Sequence, residues 1–123
     1  MEPTVADDGD RVLGPFQGFW DAWNHSDETI KSKRLEHFSR AAEIQYEEMA
    51  EHLQRANRHA AAREAVDVIS IALNTLRWMN FEPAEIAKIA QDRARDRMYG
   101  QTHEILEKYD KLTIQHGRST TRG

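Results

Sequence analysis

Two pairs of carboxylates, Glu48/Glu51 and Glu64/Asp67, have the residue types and spacing that metal-dependent chemistry requires. Each pair is spaced i, i+3, which places both side chains on one helix face with their Cβ atoms about 5–6 Å apart. Two such helices packed antiparallel would direct four carboxylates at one point. Hard divalent cations take oxygen ligands, and substrate phosphates commonly complete their coordination. The pattern therefore predicts a carboxylate site for Mg²⁺, with Mn²⁺ as the alternative cation.

Acidic pairs at this spacing are frequent in the chain, so the surroundings of each pair decide what it indicates. With 21 acidic residues among 123, chance would produce about three to four such pairs at helix-neighbour spacing. The chain has six of them: Asp7/Asp10, Glu48/Glu51, Glu64/Asp67, Glu82/Glu85, Glu104/Glu107 and Glu107/Asp110. Spacing alone therefore does not identify a site.

The second pair begins a polar stripe along the most apolar segment of the chain, Glu64, Asp67, Ser70, Asn74 and Arg77. Asp67 lies within the sequence AVDVISIAL, where an ionised carboxylate is expected to cost several kcal/mol unless it is paired or coordinated. The short side chains of Ser70 and Asn74 suit the wall of a pocket. A metal site and a solvated stripe both explain this pattern.

The elements that position these residues are predicted to be helices. No Gly or Pro occurs between Gly18 and Pro83, and a long run without either residue is typical of helix. No segment alternates with the period of two expected of a strand. We expect an all-α fold, a four- to five-helix bundle, in which the apolar segment 61–79 is central and buried on most sides. A short aromatic helix over 15–24 is expected to cap the bundle, in preference to stacking on a nucleobase.

Individual residues predict where these helices begin and end. Ser26 or Asp27 is expected to cap a helix of about 30 residues, and Asn57 to end it as a left-handed residue. Asn80 is expected to end the apolar helix, and Pro83 to lie in the first turn of the next. The remaining signals are an end at Gly100, a cap at Thr102 and a fading of the last helix at Gly117.

Composition limits the possible classes of protein. The chain suggests a disordered segment over 1–14, one domain over 15–116 and a disordered tail over 117–123. The absence of cysteine excludes disulfides, iron–sulfur sites and cysteine nucleophiles. The net charge of −4 argues against a nucleic-acid partner. Short apolar runs and an acidic N-terminus argue against a membrane segment or signal peptide, so a cytoplasmic protein is expected. A hydrophobic content of 39% favours self-association.

The acidic motifs resemble those of a known superfamily. Glu48-Met-Ala-Glu51, a twelve-residue link and Glu64-Ala-Val-Asp67 form an ExxE…ExxD arrangement, preceded by Glu47. With the apolar run after Asp67, it resembles the MazG-like all-α nucleoside triphosphate pyrophosphohydrolases over about residues 34–100. This superfamily includes dCTP pyrophosphatases, all-α dUTPases and phosphoribosyl-ATP pyrophosphohydrolase.

The resemblance implies a helical bundle that forms a homodimer or homotetramer and holds Mg²⁺ with Glu48, Glu51, Glu64 and Asp67. It implies hydrolysis of a (deoxy)nucleoside triphosphate between the α and β phosphates, which gives the monophosphate and pyrophosphate. Glu47 matches the extra acid of the first motif and would orient or deprotonate the attacking water. Metal ions neutralise phosphate charge and position water, as this chemistry requires.

The sequence departs from the family in the helix after the second motif. Where the family often has a Lys-and-Asn pattern followed by Arg, this chain has QDRARDRMYG. Arg93 and Arg97 are expected to bind phosphate oxygens, and Asp92 or Asp96 is the nearest substitute for the asparagine. Tyr99 is expected to lie on the surface in preference to approaching phosphates from a neighbouring subunit. Asn74 would contact a base edge or ribose, or make a helix–helix hydrogen bond.

Other assignments remain open from the sequence. The first is a non-catalytic helical interaction or scaffold protein of the same fold, and the second is hydrolysis of phosphoribosyl-ATP. A nucleic-acid adaptor ranks below both because the chain is acidic. His52 and His59 lack a metal-binding spacing and are expected to be solvated.

Overall fold

A computed structural model describes the backbone of residues 11–122 and the side chains of residues 11–113. Residues 1–10 and 123, which belong to segments predicted to be disordered, lie outside this range. Throughout the described part the chain is helical and contains no strand, which confirms the all-α class. The helices are α1 (Gln17–Ala22), α2 (Asp27–Lys31), α3 (Leu35–Gln54), α4 (Arg58–Trp78), α5 (Pro83–Arg93) and α6 (Thr102–Arg122).

The chain divides into two compact units, Met1–Ala87 and Lys88–Gly123. In the first unit, Trp20 of α1 is buried against Leu73 and Ile86. The aromatic N-terminal helix thus packs on the helical core, as its spacing predicts.

The long second helix predicted from the sequence is wrong, because the chain breaks between α2 and α3. The Ser32 hydroxyl donates a hydrogen bond to the carbonyl of Thr29 (2.7 Å), and Arg34 is extended at φ −96°, ψ 159°. The indole Nε1 of Trp78 donates to the Lys33 carbonyl at 2.7 Å. A contact with α4, 45 residues away in sequence, therefore occupies the carbonyl at the break.

Helices α3 and α4 form an antiparallel hairpin joined by a short turn. Ala56, rather than Asn57, has the left-handed conformation (φ 58°). The N–H of Asn57 donates to the carbonyl of His52 at 2.8 Å, which closes a Schellman end. The Asn57 side chain instead caps α4 by accepting from the N–H of Ala60 at 3.2 Å. The expected helix end is therefore displaced by one residue.

Helix α4 is central in the first unit and contacts α1, α2 and α3. Its buried residues are Ala61, Leu73, Asn74 and Arg77. The expectation that it is buried on most sides is wrong for its N-terminal half, where Val66 and Ile69 are 41% and 37% exposed.

The start of α5 follows the sequence signals. Asn80 ends α4 in the left-handed region (φ 71°), and the Phe81 N–H donates to the Leu76 carbonyl at 3.1 Å. Pro83 begins α5, and the Glu82 N–H donates to the carboxylate of Glu85 at 2.8 Å. These are the expected C-terminal and N-terminal helix motifs.

The second unit contains the end of α5, a π-helical turn over Ala94–Met98 and α6. Gly100 has φ 79° and separates the π-turn from α6. Helix α6 begins at Thr102, as expected, and continues past Gly117 to Arg122, whereas the sequence predicts that it fades at Gly117. Within the described range, no helix has the length and apolarity needed to cross a membrane.

Candidate functional site

The α3–α4 hairpin brings the two acidic motifs to the same level of the fold. The rings of Phe38 and Trp78 are 5.9 Å apart at one end of the hairpin. At the other end, Nε2 of His52 lies 3.1 Å from Oε2 of Glu64. In the antiparallel register that these contacts define, Glu51 lies near the level of Glu64. Glu48 lies one turn before Glu51 in α3, and Asp67 lies one turn after Glu64 in α4. Because the helices are antiparallel, Glu48 and Asp67 lie near the same level.

The four acids differ in exposure. Glu48, Glu51 and Asp67 are exposed, whereas the Glu64 side chain is only 17% exposed. Asp67 is therefore not buried, contrary to the expectation drawn from its apolar sequence neighbours. The hydrogen bonds and core contacts from α1 and the residues after it reach α4 from Ser70 onward and leave Asp67 in solvent.

These acids fit a divalent cation by donor type, since carboxylate oxygens are the ligands that Mg²⁺ prefers. They are not gathered in the conformation described, where no three His, Asp or Glu side chains of residues 11–113 form a group that could hold a metal ion. Glu47, the expected catalytic acid, is exposed and accepts a hydrogen bond from Nη1 of Arg40 at 3.2 Å. Arg40 also binds Glu43 at 3.0 Å.

Asn74, expected to contact substrate, is 8% exposed. Its Oδ1 atom has no hydrogen-bond partner among the described residues. The neighbouring Ser70 hydroxyl accepts a hydrogen bond from the indole Nε1 of Trp23 at 3.2 Å. A buried amide carbonyl without a partner is uncommon in a folded protein and points to either a ligand contact or an ordered water.

The remaining expected substrate-binding residues belong to the second unit. Arg93, Asp96 and Tyr99 are exposed, Tyr99 to 76%, and Arg97 is half-buried. Asp96 accepts a hydrogen bond from Nε of Arg95 at 2.8 Å. A hydrogen bond from Lys88 lowers the pKa of the neighbouring Asp92 carboxyl from its ordinary value. These contacts form a local charged cluster around the end of α5.

Among the side chains of residues 11–113, the most buried charged one is that of Arg77, which the sequence indicates only as the last member of the polar stripe. Arg77 is 3% exposed, and its Nη1 donates to Oδ1 of Asp27 at 3.0 Å. Its Nη2 donates to the Trp20 carbonyl at 2.6 Å and to Oδ1 of Asn24 at 3.1 Å. Arg77 thereby joins α4 to both short N-terminal helices.

A polar cavity of about 350 Å³ adjoins this cluster. Its lining residues are Trp20, Asn24, Asp27, Lys31, Arg77, Phe81 and Glu82. The hydrogen bond from Arg77 lowers the pKa of the Asp27 carboxyl from its ordinary value, and Lys31 contributes in the same direction. The two positively charged residues that line the cavity, Arg77 and Lys31, both pair with Asp27, Lys31 at 3.3 Å. The described lining of the cavity therefore lacks a cluster of unpaired charges of one sign.

No family model matches the chain, and neither the curated proteins nor the solved structures provide a significant match.

Proposed function

We propose that the protein is a Mg²⁺-dependent nucleotide pyrophosphohydrolase of the cytoplasm. It would hydrolyse a (deoxy)nucleoside triphosphate to the monophosphate and pyrophosphate. The observation that carries the proposal is the arrangement of two acidic motifs on facing antiparallel helices at one level. The MazG-like resemblance of the ExxE…ExxD sequence supports the same reaction.

Helical geometry supports this assignment further. At 3.6 residues per turn, Glu48 and Glu51 lie to one side of the α3 residues that face α4. Glu64 faces α3 through His52, and Asp67 lies to one side of the α4 residues that face α3; in an antiparallel hairpin this side coincides with that of Glu48 and Glu51. The opposite side of the hairpin holds an apolar groove of about 280 Å³ that includes Ala42. Glu48, Glu51 and Asp67 thus share the polar side of the hairpin, next to Glu64.

In the proposed reaction, the carboxylates of Glu48, Glu51, Glu64 and Asp67 bind the cation. When bound, Mg²⁺ neutralises charge on the triphosphate and on the developing pyrophosphate. Three of the four carboxylates are exposed, so their side-chain rotamers are free to change when a cation binds. Glu47 orients the attacking water and accepts its proton, which requires it to leave Arg40.

The substrate-binding roles remain part of the proposal. Arg93 and Arg97 would bind phosphate oxygens, Asn74 would accept a hydrogen bond from the base or ribose, and Asp96 and Tyr99 would complete the nucleotide contacts. The exposed apolar side chains of α4 fit the expected homodimer or homotetramer, since association would cover them.

A turnover assay with separated products tests the proposal. The protein is supplied with each canonical NTP and dNTP, with and without Mg²⁺, and the products are resolved chromatographically. We expect monophosphate and pyrophosphate, formed only with the cation and abolished by Asp67→Asn. The matched control is Glu104→Gln, an exposed acid of another i, i+3 pair, which is expected to retain wild-type turnover. Equal turnover in the two variants would contradict the assigned ligands.

A scaffold protein of the same fold is the second candidate. The ungathered acids and the exposed apolar residues of the described structure favour it. A folded protein without turnover on any triphosphate or on phosphoribosyl-ATP would support this function instead. Turnover on phosphoribosyl-ATP alone would reassign the substrate and retain the reaction.

A further inference from the structure

His52 contacts Glu64 across the α3–α4 hairpin, contrary to the expectation that it is solvated. Nε2 of His52 lies 3.1 Å from Oε2 of Glu64, and the two side chains are 28% and 17% exposed. A carboxylate offers only acceptor atoms, so Nε2 carries the hydrogen in this contact. His52 is therefore a hydrogen-bond donor to the least exposed of the four proposed metal ligands.

The backbone of His52 is itself held at the end of α3. Its carbonyl accepts the N–H groups of Arg55 at 3.1 Å and Asn57 at 2.8 Å. This Schellman end ties the last turn of α3 to the start of α4. The imidazole thus projects from an anchored position toward Glu64.

A donor at this place restricts the Glu64 carboxylate. Oε2 accepts the hydrogen bond from His52, and in the proposed site Oε1 would bind the cation. A free glutamate samples several rotamers, and a bound one has lost that freedom before the ligand arrives. Groups that hydrogen-bond a metal-ligating carboxylate typically change metal affinity by about 10–100-fold when they are mutated.

We propose that His52 is a positioning residue that presents Glu64 to the divalent cation. This inference rests on the proposed function, because it requires that Glu64 be a ligand. His52 does not contact the substrate in this assignment; it acts through the carboxylate alone.

Two substitutions at position 52 separate the donated hydrogen bond from the bulk of the side chain. His52→Leu removes the donor, whereas His52→Gln retains an N–H group near the position of Nε2. His59→Leu, at an exposed histidine of α4, is the control. Mg²⁺ binding to the nucleotide-free protein is measured by calorimetric titration, and circular dichroism verifies that each variant is folded.

We expect Mg²⁺ binding about 10–100-fold weaker in His52→Leu, close to wild type in His52→Gln and unchanged in His59→Leu. In the turnover assay, the Mg²⁺ concentration for half-maximal rate would rise in His52→Leu with little change in the rate at saturating Mg²⁺. Wild-type affinity in a folded His52→Leu would overturn the inference, as would an equal loss in the leucine and glutamine variants.

Asp67→Asn distinguishes failure of this inference from failure of the proposed function. If Asp67→Asn loses Mg²⁺ binding and turnover while His52→Leu keeps both, the proposed function stands and the role of His52 is overturned. If the wild-type protein neither binds Mg²⁺ nor turns over any nucleotide, both are overturned.

Discussion

The guanidinium of Arg77 lies 3.9 Å from the centroid of the Trp20 ring and also donates a 2.6 Å hydrogen bond to the carbonyl of Trp20. One residue of α1 thus provides both a π-face and an acceptor for a cation that is 3% exposed. Burial of a charge is costly unless the charge is paired and hydrogen-bonded. Asp27 and Asn24 supply two further acceptors, whereas Nε has no partner among the described residues. One side chain of α4 is thus hydrogen-bonded to both N-terminal helices.

Replacing Arg77 is expected to destabilise the fold strongly. Arg77→Met keeps much of the side-chain volume but removes the cation–π contact and the three hydrogen bonds, so we expect a loss of about 2–4 kcal/mol in the free energy of unfolding. Denaturant unfolding monitored by tryptophan fluorescence measures this loss. Arg40→Met is the control, because the exposed Arg40 pairs with Glu43 and Glu47 and should change stability by about 0.5 kcal/mol or less. Similar losses in both variants would contradict the special role of Arg77.

Stability is expected to fall in acid partly through Asp27. The hydrogen bond from Arg77 lowers the pKa of Asp27 in the folded protein below its unfolded value. The unfolded chain therefore binds a proton more readily, and this stabilising contribution is present above the unfolded pKa of about 4 and is lost as the pH falls through the folded pKa. In Asp27→Asn, the free energy of unfolding should be lower at neutral pH and should decline less between pH 5 and pH 3. Parallel pH profiles would argue against the linkage.

A glycine at position 56 is expected to stabilise the hairpin. Ala56 ends α3 with φ 58°, a conformation that costs an L-residue roughly 1–2 kcal/mol and glycine almost nothing. After the greater entropy of glycine in the unfolded chain is subtracted, Ala56→Gly should gain about 0.5–1 kcal/mol. Ala50→Gly, at an exposed site inside α3, should instead lose about 0.5–1 kcal/mol. Thermal unfolding of the two variants measures the difference, and a loss in both would contradict the left-handed strain.

Replacing Asn74 is expected to weaken substrate binding without a large loss of stability. Because its Oδ1 is buried without a partner in the described structure, Asn74→Ala should change the free energy of unfolding by less than about 1 kcal/mol. Leu73→Ala, one residue earlier in the buried core, should cost about 2–5 kcal/mol. If Asn74 contacts the nucleotide, Asn74→Ala raises KM severalfold in the turnover assay. A large loss of stability with unchanged KM would assign Asn74 to helix packing.

Local chemistry is enough to predict the features of the chain that depend on neighbouring residues. The lack of Gly and Pro between Gly18 and Pro83 is typical of helix, and the described chain is helical. Asn80 and Pro83 act at a helix end and a helix start because backbone conformation at such positions depends on the residue type itself. The i, i+3 acid spacing likewise defines a helix face without reference to the rest of the fold.

Contacts between distant residues decide what those local signals leave open. The break before α3 coincides with a hydrogen bond from Trp78 to Lys33, and no local breaker residue marks it. The partner of Glu64 is His52, twelve residues away, because the hairpin turn sets the register between α3 and α4. Asp67 is exposed, since the hydrogen bonds and core contacts of the N-terminal segment reach α4 at Ser70 and Leu73.

The sequence by itself thus determined the helical class, several helix ends and the spacing of the four acids, since these depend on residue type and a 3.6-residue period. Only the tertiary structure decided which polar residues of the α4 stripe are buried. Arg77 is buried because acceptors from Trp20, Asn24 and Asp27 converge on it. Asp67, on the same stripe, meets no donor among the described residues and stays in solvent. Burial of a polar group follows from the partners that folding brings to it, and those partners are remote in sequence.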